Sequence, residues 1–221
     1  MAIFAPLGDT AVLASFGSEI DPGLNRRIHA LTSFLRGAAL PGVLDLIPAY
    51  ASLVVHYDPL VRTYTEVLEW VRSGWERAGS GADRKPRLME VPVRYGGESG
   101  PDLETVAAAR HLSPADIVEL HSGREYTVYM MGFTPGFPYM GRLDDALVTP
   151  RLATPRTQVA AGTVAIAGAQ TGIYPVDSPG GWRLIGWTPL KIFDPARDQP
   201  FLFAPGDAVR FVPLGVNAHG S

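Results

Sequence analysis

The 221-residue sequence contains no cysteine. Disulfide bonds, thiolate zinc sites, iron–sulfur clusters and cysteine nucleophiles are therefore excluded. Long apolar runs are also missing, since the stretches Thr163 to Ala169 and Ser52 to Val55 are far shorter than the roughly 20 residues that a membrane-spanning helix needs. No charged-then-apolar leader begins the sequence. We therefore expect a cytoplasmic protein that does not enter a membrane.

Charge is sparse and evenly spread. Charged residues make up 19% of the sequence, the formal net charge is −3, and no stretch clusters lysine and arginine. Without a basic surface the protein has no electrostatic reason to bind nucleic acid, so we expect no such partner. The hydrophobic share of 46% indicates a globular protein with one large core or two small ones.

No standard catalytic signature is present. The stretch closest to a phosphate-binding loop, Gly162 to Gly168, lacks the lysine and the hydroxyl residue that follow the second glycine of that motif. Ser178 does not lie in a G-x-S-x-G turn, which argues against a serine hydrolase. The five histidines have no spacing that would put two of them on one metal ion, so we expect no metal site.

Residues 1–85 are predicted to form an α+β domain. The apolar spacing predicts a β-α-β-β-α-β order, which is ferredoxin-like. Its elements are strand Thr10 to Phe16, helix Asn25 to Arg36, strands Val43 to Ile47 and Ser52 to Tyr57, helix Leu60 to Arg77 behind Asp58-Pro59, and strand Leu88 to Val93. The small, polar segment Ala78 to Pro86 is predicted to contain the domain boundary.

Residues 86–221 are predicted to form a β-barrel domain. Two short helices come first, Asp102 to Arg110 and Ser113 to Leu120, and Ser113-Pro114 is typical of a helix start. Short strands then follow without intervening helices, which favours a closed barrel because closure removes exposed sheet edges. These strands are 126–131, 163–166, 182–186, 191–193 and 208–211.

Three Gly/Pro-rich segments stand out in this second domain: Gly132 to Gly141, Ala167 to Pro175 and Ser178 to Trp182. With Thr149-Pro150-Arg151, Thr154-Pro155-Arg156, Trp187-Thr188-Pro189 and Pro205-Gly206-Asp207, they make nearly the whole chain resemble the family of KipI, allophanate hydrolase subunit 1 and the 5-oxoprolinase B subunit. Two positions depart from the family pattern, because Asp177 stands where glutamate is more usual and Trp187 where arginine is expected.

The resemblance implies a cyclophilin-like β-barrel in residues 86–221 and a role as one subunit of a complex. The implied reaction is the ATP-dependent opening of 5-oxo-L-proline to L-glutamate, with Mg²⁺-bound ATP as co-substrate and phosphorylation of the lactam oxygen as the activating step. The implied partners are a homologous C subunit, similar to allophanate hydrolase subunit 2, and a third protein, the A subunit. The chain alone is then inactive and exposes an apolar interface, so we expect it to self-associate. Two alternatives stay open: a KipI-like inhibitor of a histidine kinase, and a subunit of a carboxyltransferase-type hydrolase acting on allophanate or urea.

The candidate substrate or ATP contacts lie in these segments, whereas no catalytic residue is assigned. Glycines let backbone N–H groups converge on an oxyanion, arginines meet carboxylate or phosphate, and aromatic rings wall a small pocket. The candidates are Phe133, Thr134, Pro135, Gly136, Phe137, Tyr139, Arg151, Arg156, Gly168, Gln170, Thr171, Gly172, Tyr174, Ser178, Gly180, Gly181 and Trp182.

Each candidate also has a structural interpretation. The glycines and prolines would turn corners, and the aromatic rings would fill the core or an interface. Arg151 and Arg156 would pair with Asp144, Asp145 or Asp177 at the surface. Gln170-Thr171-Gly172 is the leading candidate, because a turn requires the glycine but neither the amide nor the hydroxyl before it.

Overall fold

The computed structural model describes residues 2–79 and 86–214. The chain divides into two compact units, Met1–Lys85 and Pro86–Ser221. Residues 80–85 of the predicted linker lie outside the described residues. In the described part of the chain, every helix is too short or too polar to cross a membrane.

The first unit is a four-stranded antiparallel sheet packed with two helices. The buried sheet residues Val12, Leu53 and Val55 share one apolar core with Ile28 and Val67 of the helices. The strand order is β1-β2-β4-β3. The elements are β1 (Ile3–Pro6), β2 (Ala11–Ser15), α1 (Pro22–Gly37), β3 (Val43–Pro48), β4 (Ser52–Tyr57) and α2 (Tyr64–Arg77).

The second helix begins later than the sequence analysis predicted. Thr63 caps it, and Thr63 and Glu66 form a reciprocal capping box, in which each side chain accepts a hydrogen bond from the backbone N–H of the other residue. Asp58 instead closes a turn, since its carboxylate accepts the N–H of Leu60 at 2.9 Å. The predicted start at Leu60 is therefore wrong, because an Asp-Pro turn precedes the helix.

The predicted ferredoxin-like order of the first unit is not confirmed. The strand assigned as its last element, β5 (Leu88–Tyr95), belongs to the second unit, where it pairs with two other strands. The edge position beside β2 is taken by β1, which the sequence analysis missed. Val91 and Val93 explain the difference, because both are fully buried in the core of the second unit.

The second unit contains a closed seven-stranded barrel, as the short strands predicted. Its order is β10-β7-β6-β13-β5-β12-β9, and β8 and β11 form a separate two-stranded ribbon. The helices are α3 (Leu103–Arg110) and α4 (Pro114–Ser122). The remaining strands are β6 (Glu125–Gly132), β7 (Phe137–Gly141), β8 (Arg156–Val159), β9 (Thr163–Ala167), β10 (Gln170–Ile173), β11 (Ser178–Gly180), β12 (Arg183–Trp187) and β13 (Ala208–Pro213).

Two details of the predicted barrel are wrong. Residues 191–193 form no strand and contribute only an isolated bridge between Phe193 and Phe201. The prediction also lacks β7, β10 and β11, which lie in the three Gly/Pro-rich segments. Glycine and proline weaken the local strand signal, so these strands depend on partners far along the chain.

Candidate functional site

Four aromatic side chains from the Gly/Pro-rich segments meet beside the barrel. Phe137 is central, with ring centroids 5.2 Å from Tyr174, 5.4 Å from Trp182 and 4.8 Å from Tyr139. The angled geometry of these pairs is the one that aromatic rings prefer. Phe137, Tyr174 and Trp182 are buried, and Tyr139 is partly exposed. We call these four residues the aromatic cluster.

Phe133 covers this cluster from the solvent side. The residue is 62% exposed, yet its ring lies edge-on to Phe137 at 5.7 Å and to Tyr174 at 6.4 Å. Its backbone has φ of 63°, a left-handed conformation that is rare for a bulky residue. The hairpin loop between β6 and β7 imposes this conformation, with Pro135 exposed and Gly136 at φ of 86°. Strained residues of this kind concentrate at functional sites.

The two candidate arginines have different surroundings. The Arg151 guanidinium lies 5.9 Å from the centroid of the Trp182 ring, which is a cation–π contact. Arg156 donates from Nη2 to Asp102 Oδ1 at 2.7 Å. The other oxygen of Asp102, Oδ2, accepts the backbone N–H of Leu184 at 2.7 Å, so the barrel holds this carboxylate in place.

The acidic partners proposed from the sequence are wrong for Arg156, which pairs with Asp102 instead, and all three have other contacts. Asp144 lies 3.7 Å from Arg124, and Asp145 accepts from Arg142 at 2.6 Å. Asp177 accepts the backbone N–H of Ala161 at 2.8 Å. The true partner of Arg156, Asp102, lies at the start of α3 and is 54 positions away in the sequence.

The tyrosine hydroxyls of the aromatic cluster stay protonated. Burial raises the pKa of Tyr174 and of Tyr139 above the ordinary value for a phenol. The Trp182 backbone N–H, which hydrogen-bonds to the Tyr174 hydroxyl, and nearby arginines only partly offset that rise in pKa. Both hydroxyls therefore carry their proton at neutral pH.

Three buried side-chain polar atoms within residues 2–79 and 86–214 have no hydrogen-bond partner. They are Thr134 Oγ1, Arg156 Nη1 and Ser178 Oγ. All three belong to the candidate residues taken from the sequence. Buried polar groups in proteins are normally paired, and an unpaired one costs about 1–3 kcal/mol.

The leading sequence candidate, Gln170-Thr171-Gly172, is not a loop but lies in the strand β10. Gln170 pairs with Gly141 and Ala167 across the sheet. Thr171 is fully buried, and its hydroxyl bonds to His121 Nε2 at 2.8 Å and to the Ala165 carbonyl at 3.1 Å. Thr171 is therefore part of the barrel interior and is not available to a ligand.

A buried histidine network accounts for this role of Thr171. The other ring nitrogen of His121, Nδ1, lies 2.7 Å from the Tyr95 hydroxyl. If Tyr95 donates to Nδ1, then Nε2–H donates to Thr171 and Thr171 donates to the Ala165 carbonyl, so every donor in the network has an acceptor. This role of His121 has no local signature in the sequence, because its partners Tyr95 and Thr171 lie 26 and 50 positions away.

Three of the candidate glycines have structural roles. Gly168 has positive φ, at 54°, but its N–H donates to the Thr149 carbonyl at 2.7 Å. Gly172 and Gly180 are instead required for close packing. A Cβ on Gly172 would lie 2.8 Å from Phe137 Cζ, and one on Gly180 would lie 2.7 Å from Tyr174 Cζ. These glycines serve the aromatic cluster by leaving room for its rings.

The chain matches the family model of the carboxyltransferase domain, subdomain C and D, over residues 2–203. It belongs to this family. The family that the sequence resembled is thereby confirmed, together with the relationship to the B subunit of 5-oxoprolinase.

Close relatives cover nearly the whole chain. The 5-oxoprolinase B subunit of Escherichia coli O157:H7 is 44% identical over 94% of each chain. The protein of the same name from Bacillus subtilis (strain 168) is 41% identical over 93% of this chain and 90% of that protein. The crystal structure of TTHA0988 matches with a TM-score of 0.81 at 40% identity, over 93% of this chain and 40% of that one.

Proposed function

We propose that this chain is one subunit of an ATP-dependent 5-oxoprolinase complex that converts 5-oxo-L-proline to L-glutamate. The observation that carries the proposal is the identity of 41% and 44%, over at least 90% of both chains, with two proteins named as the B subunit of 5-oxoprolinase. A cytoplasmic location belongs to the same proposal.

The protein requires partners. The letter B in the name of its relatives implies that other subunits complete the complex. We propose a homologous C subunit and a third protein, the A subunit, as these partners, and we propose that the chain has no activity alone. The exposed Phe133 beside the aromatic cluster is a suitable contact for such a partner, because aromatic residues are enriched in protein interfaces.

The residue types around the aromatic cluster suit a small ring that carries a negative charge. 5-Oxoproline has an apolar five-membered lactam ring and one carboxylate. Rings such as Tyr139 and Trp182 can pack against the lactam, while Arg151 and Arg156 can meet the carboxylate. Because the lactam is resonance-stabilised, its opening needs an activated carbonyl, and phosphoryl transfer from ATP to the lactam oxygen supplies one.

The described residues fit the anionic part of ATP better than its metal ion. The arginines provide charge for phosphate groups. In residues 2–79 and 86–214, however, no three His, Asp or Glu side chains lie close enough together to hold a metal ion. Mg²⁺ usually takes one or two carboxylates together with phosphate oxygens. A Mg²⁺ ion bound to ATP therefore needs no cluster of three such side chains in this chain.

The test is glutamate formation from 5-oxoproline by the reconstituted complex, with ATP and each protein component omitted in turn. We expect ATP-dependent glutamate that disappears when this chain is left out. A complex that elutes as one species in gel filtration but forms no glutamate would refute the proposal. The two alternatives, kinase inhibition and a urea-related hydrolase, stay predictions that no feature of the described residues favours.

A further inference from the structure

The three unpaired polar atoms within the described residues lie in the Gly/Pro-rich part of the barrel unit. Thr134 belongs to the β6–β7 loop, Arg156 begins β8 and Ser178 begins β11. Ser178 exposes only 8% of its surface, so bulk water does not easily satisfy its hydroxyl. Chance burial would scatter such atoms over the chain, whereas these three are confined to segments around one aromatic cluster.

The β8–β11 ribbon places Arg156 and Ser178 on one face. Gly180 lies opposite Arg156 and Ser178 lies opposite Val159, with a β-bulge between the two pairs that gives β8 one extra residue. Ser178 and Gly180 are two positions apart on β11 and so point to the same side, and their cross-strand partners share that side. That side faces the aromatic cluster, because Val159 is buried against its rings and Gly180 packs under the Tyr174 hydroxyl. The Arg156 guanidinium also lies close enough to lower the pKa of Tyr174.

Asp102 fixes how Arg156 presents its charge. Asp102 exposes only 7% of its surface, and one oxygen of its carboxylate accepts the Leu184 N–H, so it is a rigid anchor. It contacts Arg156 through Nη2 and leaves Nη1 unpaired. A guanidinium held in this way keeps part of its planar donor fork for a second partner, and carboxylate and phosphate oxygens match that fork.

Tyr174 adds a third donor on the same face. Burial raises the pKa of this hydroxyl, so it keeps a proton that it can donate. Arg156, Ser178 and Tyr174 together offer three donors, and the carboxylate of Asp102 is already paired with Arg156 Nη2 at 2.7 Å. A set of donors beside apolar rings is the environment that binds a small anion.

We infer that Arg156 Nη1, Ser178 Oγ and the Tyr174 hydroxyl form an oxyanion subsite, oriented by Asp102, for the carboxylate or a phosphoryl group of the ligand. The assignment of 5-oxoproline or ATP as that ligand rests on the proposed function. The subsite itself rests on the placement of the three donors. Asp102 is a positioning residue, because it acts on the ligand only through Arg156.

The experiment is calorimetric titration of the isolated chain and of the assembled complex with four probes: 5-oxoproline, its neutral analogue 5-oxoprolinamide, inorganic phosphate and ATP. The variants are Ser178→Ala, Arg156→Lys and Asp102→Asn. Arg142→Lys is the matched control, since Arg142 pairs with Asp145 on the surface. Ser178→Ala removes a single oxygen atom that has no partner, so it leaves the fold intact.

We expect Ser178→Ala and Arg156→Lys to weaken binding of one anion at least tenfold and to leave 5-oxoprolinamide binding unchanged. Asp102→Asn should weaken binding of the same anion, and it should raise the KM of the complex more than it lowers kcat. If only the affinity for 5-oxoproline falls, the subsite binds the carboxylate. If only the affinities for phosphate and ATP fall, it binds the phosphoryl group.

The outcomes separate this inference from the proposed function. Unchanged anion affinity and KM in Ser178→Ala and Arg156→Lys would overturn the subsite while an active complex keeps the proposed function. Absence of anion binding to the wild-type complex would also overturn it. Anion binding that depends on Arg156 and Ser178, in a complex that forms no glutamate, would support the subsite and refute the proposed function.

Discussion

Acid should destabilise the barrel unit through His121. This residue is fully buried, and burial lowers its pKa from 6.5 to about 3. Because the folded-state pKa lies below that of the unfolded chain, the unfolded state takes up the proton first as the pH falls. Stability is therefore lost from about pH 6.5 downward, until the histidine protonates in the folded state near pH 3.

The size of this loss follows from the pKa difference. One pH unit within that window corresponds to about 1.36 kcal/mol, so lowering the pH from 7 to 5 should remove about 2 kcal/mol of unfolding free energy. The titratable neighbours in the same network, Tyr95 and Tyr126, do not change charge in this range, because burial raises the pKa of each above 10. The loss therefore belongs to the histidine.

Urea denaturation of the wild type and of His121→Gln at pH 7 and pH 5 measures the effect. Glutamine can donate and accept, but it does not titrate, and all other ionisable groups are common to both proteins. We expect the wild type to lose about 2 kcal/mol more than the variant. Equal losses would refute the reasoning. Nitrogen-15 NMR gives an independent check, since the His121 ring should remain a neutral Nε2–H tautomer at pH 5.

Three further predictions concern stability and association. Thr171→Val removes the acceptor of the buried His121 Nε2–H, so it should lower the urea-unfolding free energy by about 1–3 kcal/mol. Gly180→Ala would push a methyl group into Tyr174, so it should lower the unfolding free energy by about 1–3 kcal/mol. It should also change the near-ultraviolet circular dichroism spectrum, which reports on the packing of aromatic rings. Gly181→Ala is the control for this variant and should leave the unfolding free energy nearly unchanged, because its new Cβ would lie 3.5 Å from the nearest atom, Pro155 Cγ. The isolated chain should self-associate in light scattering, and Phe133→Ser should reduce this; a monodisperse wild-type monomer at high concentration would contradict the prediction.

Local signals predict much of the secondary structure. Strand β4 has the bounds expected from the sequence, Ser52–Tyr57, because its residues alternate between buried and partly buried positions. The start of α4 is also predictable, since Ser113 caps it and forms a capping box with Asp116. In both cases the information lies within a few residues of the element.

Features that depend on distant residues are missed or misplaced. The predicted strand near Leu88 exists, but its pairing with β13 in the second unit has no local signature. The same holds for the site. Arg156 is a candidate from the sequence, whereas its anchor Asp102 has the pattern of an ordinary helix start. Thr171 is a candidate because of its neighbours in the sequence, and only the fold reveals that its hydroxyl is hydrogen-bonded to His121.

The pairing of β5 with β13 has a consequence for how the barrel is made. These two strands run parallel over six residue pairs, from Ala208 beside Leu88 to Pro213 beside Val93. The ion pair of Arg87 with the buried Asp207 joins the same two regions across 120 residues. During synthesis, β5 therefore stays unpaired on its β13 side until almost the whole unit has left the ribosome. Its exposed edge is prone to aggregation during that time. Folding of this unit should thus be a late and all-or-none event, and a chain that stops before Ala208 should be a substrate for chaperones and proteases.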